Sequence, residues 1–197
     1  MVQQLRLSRR PRVAVTFGDP AGIGPELIAK VLSNRQNLEK AEIFVLGDRS
    51  ELESAIQAAG GVEVPIADKA GQHGVQILDD GSAPSRETVL SEVSKEGGER
   101  CLHQLRRGLE LAKAGEIDAI VFAPLNKTSL HLAGMTEEDE LRWFAKQLAY
   151  TGTTSEINIA GPLWTARVTS HVGLEKVAGM ITKESTLKAI ELLHQLR

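Results

Sequence analysis

The sequence has no apolar stretch approaching the roughly 18 residues that a membrane span requires. Nor does its N-terminus carry the apolar core of a secretory signal. Neither a membrane partner nor export is expected. It has a single cysteine, Cys101, so no intrachain disulfide can form, and this fits a reducing cytoplasm. Cys101 falls on a predicted helix and reads as a buried, inert thiol. It has no excess of positive charge: the formal net charge is -3, so there is no broad basic field for nucleic acid. The most basic run, LRLSRRPR at 5–12, precedes the first predicted strand and reads as a frayed terminus, with residues 1–11 expected to be disordered. Five histidines occur, at 73, 103, 131, 171 and 194, and none pair at the close spacing of a zinc motif. There is no internal repeat and no low-complexity tract.

What is present is the composition of a folded protein, 42% hydrophobic and 25% charged, with strands alternating with helices. RVAVTF at 12–17 is a β-branched apolar run halted by Gly18-Asp19-Pro20, and a helix starts near Pro25. EIFVLG at 42–47 predicts a second strand, residues 48–59 a helix, and Val62–Pro65 a short strand. Residues 67–97 read as a surface excursion whose one apolar run is VQIL. A helix over 98–114 carries Leu102, Leu105, Leu109 and Leu111 on its buried side, and Gly115 ends it. DAIVFAP at 118–124 resembles a fully buried parallel strand, and LNKTS a polar loop after it. A helix over 138–149, two strands joined at Gly161-Pro162, and a helix over 183–196 complete the pattern. The expected class is α/β, an α/β/α layered parallel or mixed sheet.

Three features could carry chemistry. In GDPAGIGPE, Gly18, Asp19, Gly22 and Gly24 precede a helix. Such a loop lets backbone N–H groups and the positive end of the dipole meet an anion. A tight turn without a ligand has the same spacing. In APLNK, Asn126 and Lys127 lie just beyond the carboxyl end of a strand, where open α/β sheets bind ligands, although a loop lysine can be merely solvated. In TSHVGL, His171 is either a metal ligand or a satisfied histidine at a strand end.

Taken together, GDPAGIGPELIAKVL, GEIDAIVFAPLNKTSLHLAG and ARVTSHVGLEKVAGMITKESTLKAI resemble, in order and spacing, the 4-hydroxythreonine-4-phosphate dehydrogenase family, including its D-threonate and D-erythronate 4-phosphate dehydrogenase relatives. More distantly, the first block resembles the GDGIGPE of isocitrate and isopropylmalate dehydrogenases. The resemblance implies an isopropylmalate-dehydrogenase-like fold and a cytoplasmic homodimer, acting in pyridoxine biosynthesis. It implies oxidation, with decarboxylation, of a phosphorylated hydroxy acid by NAD or NADP with a divalent metal such as Zn, Mg, Mn or Co. Lys127 would be catalytic and Asn126 would contact substrate. His171 would be one of three metal histidines assembled across the dimer interface.

Two departures modify that expectation. Family members carry GHTE after LHLAG, and its histidine and threonine bind substrate. Here GMTEEDELRWFA places Glu140 and Leu141 at those positions. Either the substrate differs, with a four-carbon sugar-acid phosphate favoured, or Glu137–Glu140 form only an acidic helix start above Trp143 and Phe144. The second departure is length. The 197 residues correspond to the N-terminal portion of the family, without the C-terminal part bearing two further metal histidines and much of the NAD site. The alternative expectation is therefore a truncated, catalytically incomplete relative that folds or binds ligand without turnover.

Overall fold

The computed structural model describes residues 9–67, 74–84, 87–170 and 172–196. The chain divides into an N-terminal unit, 7–136, and a C-terminal unit, 137–197.

The N-terminal unit is built on four parallel strands, β1 (Arg12–Thr16), β2 (Glu42–Val45), β3 (Gln76–Ile77) and β4 (Ala119–Phe122), in the order β3-β2-β1-β4. Alternation along β1 and β2 sends side chains to opposite faces of this sheet. Val15, Phe17, Ile43 and Val45 face Ile28, Ala29 and Leu32 of α1 (Gly24–Ser33) and Leu52 and Ala55 of α3 (Arg49–Ala58). Ala14 and Leu46 face the other way, with Ile117 and the half-buried Leu111 and Ile120. Leu111 belongs to α4 (Lys95–Lys113), which approaches closely enough that a Cβ on Gly108 would lie 3.0 Å from Ile120 Cδ1. The result is three layers, α/β/α, as expected for the class. All four strands of this sheet run parallel; antiparallel pairing is confined to a separate hairpin.

The helix boundaries follow from their caps. Asn34 ends α1 and accepts from Gln36 N, starting a further short helix, α2 (Arg35–Lys40). Asp48 caps α3 through Glu51 N, and Ser94 caps α4 through Gly97 N. Leu102, Leu105 and Leu109 are buried as predicted, and Gly115, at φ 69°, follows the helix end. LNKTS is not a loop throughout: Asn126 caps α5 (Lys127–Leu132). Val62–Pro65 forms no strand, and among the described residues nearby the pairing is a bridge between Ile66 and Val75. The VQIL run of the surface excursion supplies β3.

β4 corrects the expectation of full burial. It is an edge strand, with Val121 47% and Phe122 41% exposed. An unbroken apolar run marks a strand that can be covered on both faces, but burial is set by sheet order, and no described strand pairs beyond β4. Ahead of β1, Arg9 donates to both carboxylate oxygens of Asp118, at 2.7 and 2.9 Å, and Arg12 N donates to Asp118 Oδ2. Residues 9–11 are thus tied to the sheet, and residues 1–8 lie outside the described set.

A buried ionic knot joins α3 and α4. The Arg100 guanidinium, 2% exposed, donates to Glu51 Oε2 at 2.5 Å, Asp48 Oδ2 at 2.9 Å and Pro84 O at 2.8 Å. Burial pushes the Asp48 carboxyl up, but hydrogen bonds from Ser50, the Glu51 N–H and Arg100 outweigh it and hold the group below the usual carboxylate range.

The C-terminal unit comprises α6 (Glu140–Gln147), the antiparallel hairpin β5 (Ile157–Ala160) and β6 (Leu163–Ala166), α7 (Leu174–Met180) and α8 (Lys183–Leu196). The hairpin turns at Gly161-Pro162 as predicted, with Gly161 at φ 58°. Asp139 caps α6 through Arg142 N at 2.7 Å. Trp143 is buried, its ring edge-on to Phe144 at 5.4 Å. Among the described residues neither α7 nor α8 has a buried side chain.

Candidate functional site

In the N-terminal unit the chain leaves β1 for β2 on one side and reaches β4 on the other, so the strand order reverses between β1 and β4. At such a switch point the loops beyond the carboxyl ends diverge, and ligands of open α/β sheets bind there. The two loops flanking it are 18–24 and 124–126, the segments singled out from sequence. They meet directly: Asp19 N donates to Pro124 O at 3.1 Å.

The glycines of this loop are explained first by chain packing. Gly18 has φ 72°, and a Cβ there would overlap the Pro124 carbonyl and lie 2.8 Å from Ala123 O. A Cβ on Gly24 would overlap the Phe17 carbonyl. Gly22 is different, since an added Cβ would meet Asp19 O at an ordinary 3.5 Å. Two of the three glycines therefore let the backbone approach itself. Asp19 is buried, and its Oδ1 accepts from Ala21 N at 2.9 Å and lies 3.1 Å from where a Cβ on Gly97 would sit, at the first turn of α4. The dipole of a 19-residue helix favours a carboxylate at that end. α1 has Ile23 as its N-cap residue and no side-chain cap, and Pro25 in its first turn has no N–H to offer.

Asn126 accepts from Ser129 N at 3.1 Å as the cap of α5, and Lys127, the first residue of that helix, is exposed. A second glycine-backbone contact sets this end of the site: a Cβ on Gly98 would overlap Ser129 O, so α4 and α5 touch backbone to backbone. Beside the same loop, a cavity of about 550 Å³ is walled by Ile23, Pro25, Ser54, Ala58 and Leu90, with Glu51 at its base. Asp19, Asn126 and Lys127 do not line it.

Cys101 is buried as expected; burial, then the nearby Asp19 and Glu51 carboxylates, push its thiol up to about 12, which leaves it protonated and inert. His131 Nδ1 lies 2.8 Å from Met135 O, a satisfied helix histidine. His171 and His73 lie outside the described residues. Among the described residues no group of three or more His, Cys, Asp or Glu side chains could hold a metal ion.

The C-terminal unit has a site of its own, a polar pocket of about 260 Å³. Leu141 and Arg142 of α6 line it with Thr154, Arg167, Thr169 and Ser170. Leu141 lines this cavity, whereas the half-buried Glu140 is not among the lining residues. The acidic run has structural uses: Asp139 caps α6, Glu138 pairs with Arg142 and Glu137 pairs with Lys146. Arg142 and Arg167 escaped the sequence reading. They are 25 positions apart, and each reads as an ordinary surface charge.

A parallel sheet with helices on both faces and loops converging at a switch point is the architecture of the open α/β proteins, which bind ligands at that point. Residues 39–197 match the family described as "Pyridoxal phosphate biosynthetic protein PdxA", and the chain belongs to that family. It is 43% identical over 190 residues to the Pseudomonas aeruginosa protein named "Putative 4-hydroxythreonine-4-phosphate dehydrogenase 2", covering 93% of this chain and 56% of that protein. It is 35% identical over 185 residues to "D-threonate 4-phosphate dehydrogenase" of Bordetella bronchiseptica, covering 89% of this chain and 52% of that one. The fold matches the crystal structure of a 4-hydroxythreonine-4-phosphate dehydrogenase from Burkholderia phymatum with TM-score 0.78 and 29% identity, over 93% of this chain and 57% of that one. The chain spans little more than half the length of these relatives.

Proposed function

We propose that this chain forms part of an NAD- or NADP-dependent, divalent-metal-dependent dehydrogenase that oxidises and decarboxylates a phosphorylated four-carbon hydroxy acid. The observation that carries the reading is the convergence of the Gly18–Gly24 and Pro124–Lys127 loops at the β1/β4 switch point in a chain whose relatives are named dehydrogenases of such substrates. Lys127, exposed at the rim, contacts the anionic substrate or polarises its reacting oxygen. Asn126 fixes the start of α5 and so the place of Lys127. The uncapped first turn of α1 offers N–H groups to a phosphate of substrate or cofactor. The nicotinamide cofactor, when bound, accepts the hydride.

The metal enters only through the resemblance: His171 would be one ligand, and the others would come from polypeptide other than the described residues. The same resemblance supports an isopropylmalate-dehydrogenase-like homodimer in the cytoplasm, with pyridoxine biosynthesis as its setting. The replacement of the expected histidine and threonine by Glu140 and Leu141 favours a sugar-acid phosphate over 4-hydroxythreonine 4-phosphate.

The test is NAD(P) reduction with a panel of phosphorylated four-carbon acids and added Zn²⁺, Mg²⁺ or Mn²⁺. Turnover that falls at least about a hundredfold in Lys127→Ala, in line with loss of a charge-stabilising group, is the expected result. Turnover indifferent to Lys127→Ala and to chelation would overturn the assignment. A second reading, ligand binding without turnover, draws on the exchange of the family's histidine and threonine for Glu140 and Leu141. It predicts saturable binding with no NAD(P) reduction under any of these conditions.

A further inference from the structure

We propose that Arg142 and Arg167 form an anion-recognition pair in the polar pocket of the C-terminal unit, selecting a small hydroxylated ligand that carries a phosphoryl group. The inference rests on the reading of the chain as a hydroxy-acid phosphate dehydrogenase and names the residues that would give it substrate preference. Arg142 is the third residue of α6 and Arg167 the residue after β6, yet both line one cavity of about 260 Å³. That volume lies below the roughly 300–1,000 Å³ of drug-sized sites and suits a short polar acid. Thr154, Ser155, Thr169 and Ser170 line the same cavity and supply hydroxyl groups that donate or accept.

Each guanidinium is held from one side. Arg142 pairs with Glu138, with Asp139 Oδ2 3.9 Å from its Nε, and Arg167 pairs with Glu156. A guanidinium has five N–H donors and a carboxylate engages at most two, so these pairs fix its orientation and leave donors for a ligand. The lining charges of Arg142, Arg167, Asp139 and Glu156 cancel. The pocket is therefore no general anion sink. It favours a group that competes well for a guanidinium, and a dianionic phosphoryl group with bidentate geometry does so better than a carboxylate. Leu141 supplies an apolar wall where the resemblance expects a threonine, which leaves polar recognition to its neighbour Arg142.

The bland alternative is that these are two surface ion pairs, one within a helix turn and one across the hairpin. The two readings predict opposite effects for one variant. Titrate the purified chain with inorganic phosphate and with D-threonate 4-phosphate, following Arg Nε–H signals by NMR and heat by calorimetry. Arg142→Gln and Arg167→Gln should each weaken binding about tenfold, the loss of one charge-assisted hydrogen-bonding group. Glu156→Gln, which removes a competing carboxylate, should tighten it, and a neutral tetrol should not bind. Unchanged affinity in both arginine variants, weaker binding in Glu156→Gln, or no saturable response to millimolar phosphate would each overturn the proposal. Arginine-dependent phosphate binding without NAD(P) reduction would sink the dehydrogenase reading and leave the pocket standing. Turnover with KM unmoved in both arginine variants would do the reverse.

Discussion

Residues 7–136 and 137–197 are held by different means. The first unit buries a dozen residues in one cluster, from Val15 and Phe17 to Val75 and Ala123, with a second cluster on the opposite face of the sheet. In the second, Trp143 and Asp139 alone are buried among the described residues. Its larger apolar side chains stay in contact with solvent, Leu174 at 88%, Leu163 at 62% and Ile190 at 58% exposed. Local signals shape that unit: the Asp139 cap, the Gly161-Pro162 turn, and the Ser185 hydroxyl that accepts from Thr182 N at 2.9 Å. Such signals specify conformation, but each contributes only about 1 kcal/mol, whereas apolar burial supplies cohesion.

That contrast can be broken or sharpened experimentally. The largest effect should appear in native-state hydrogen exchange. Amides of β1 and β2 should open only with global unfolding, and those of α7 and α8 by local fluctuation, orders of magnitude faster. Equal protection in the two regions would end the distinction. Next comes Arg100→Met, which leaves Glu51 and Asp48 facing each other without their cation. Denaturant unfolding of the first unit should lose about 3–5 kcal/mol, the usual result of stripping one member from a buried ionic cluster. A neutral result would mean that the knot gives specificity without stability.

Asp139→Ala removes the cap of α6 and should lower helicity by circular dichroism, with a cost of about 0.5–2 kcal/mol confined to the second unit. The smallest effect concerns acid. The Asp48 carboxyl is held below its ordinary value in the folded state, so its stabilising contribution is complete above about pH 4 and is lost as pH falls through the lower folded value. Asp48→Asn should flatten that part of the stability curve measured by urea titration, and an unchanged slope would assign acid sensitivity to other carboxylates.

The same contrast governs what could be read from the residues. Elements with strong periodicity or unambiguous turns were legible: β1, β2, α3, the leucine face of α4, the Gly161-Pro162 hairpin and α8. What failed depended on tertiary context or on a cap overlooked. Asn34 and Asn126 each start a helix, but a lone asparagine followed by a basic residue looks like loop. β3 is two residues long, and only its pairing with β2 makes it a strand. β4 has the composition of an interior strand and lies at the edge. Of the candidate site, the loops after β1 and β4 were legible because glycine, proline and asparagine clusters announce them. The arginine pair was not, since no periodicity links Arg142 to Arg167.

The contact between Gly18 and the carbonyls of Ala123 and Pro124 bears on how such sequences persist. A mutation there is rejected because the chain no longer closes on itself, whether or not any reaction is under selection. A descendant that had changed its substrate, or had given up turnover, would still carry Gly18 and Gly24 for as long as it had to fold. Those two glycines therefore record architecture, while changes in what the protein does accumulate where the backbone is indifferent, as at Glu140 and Leu141.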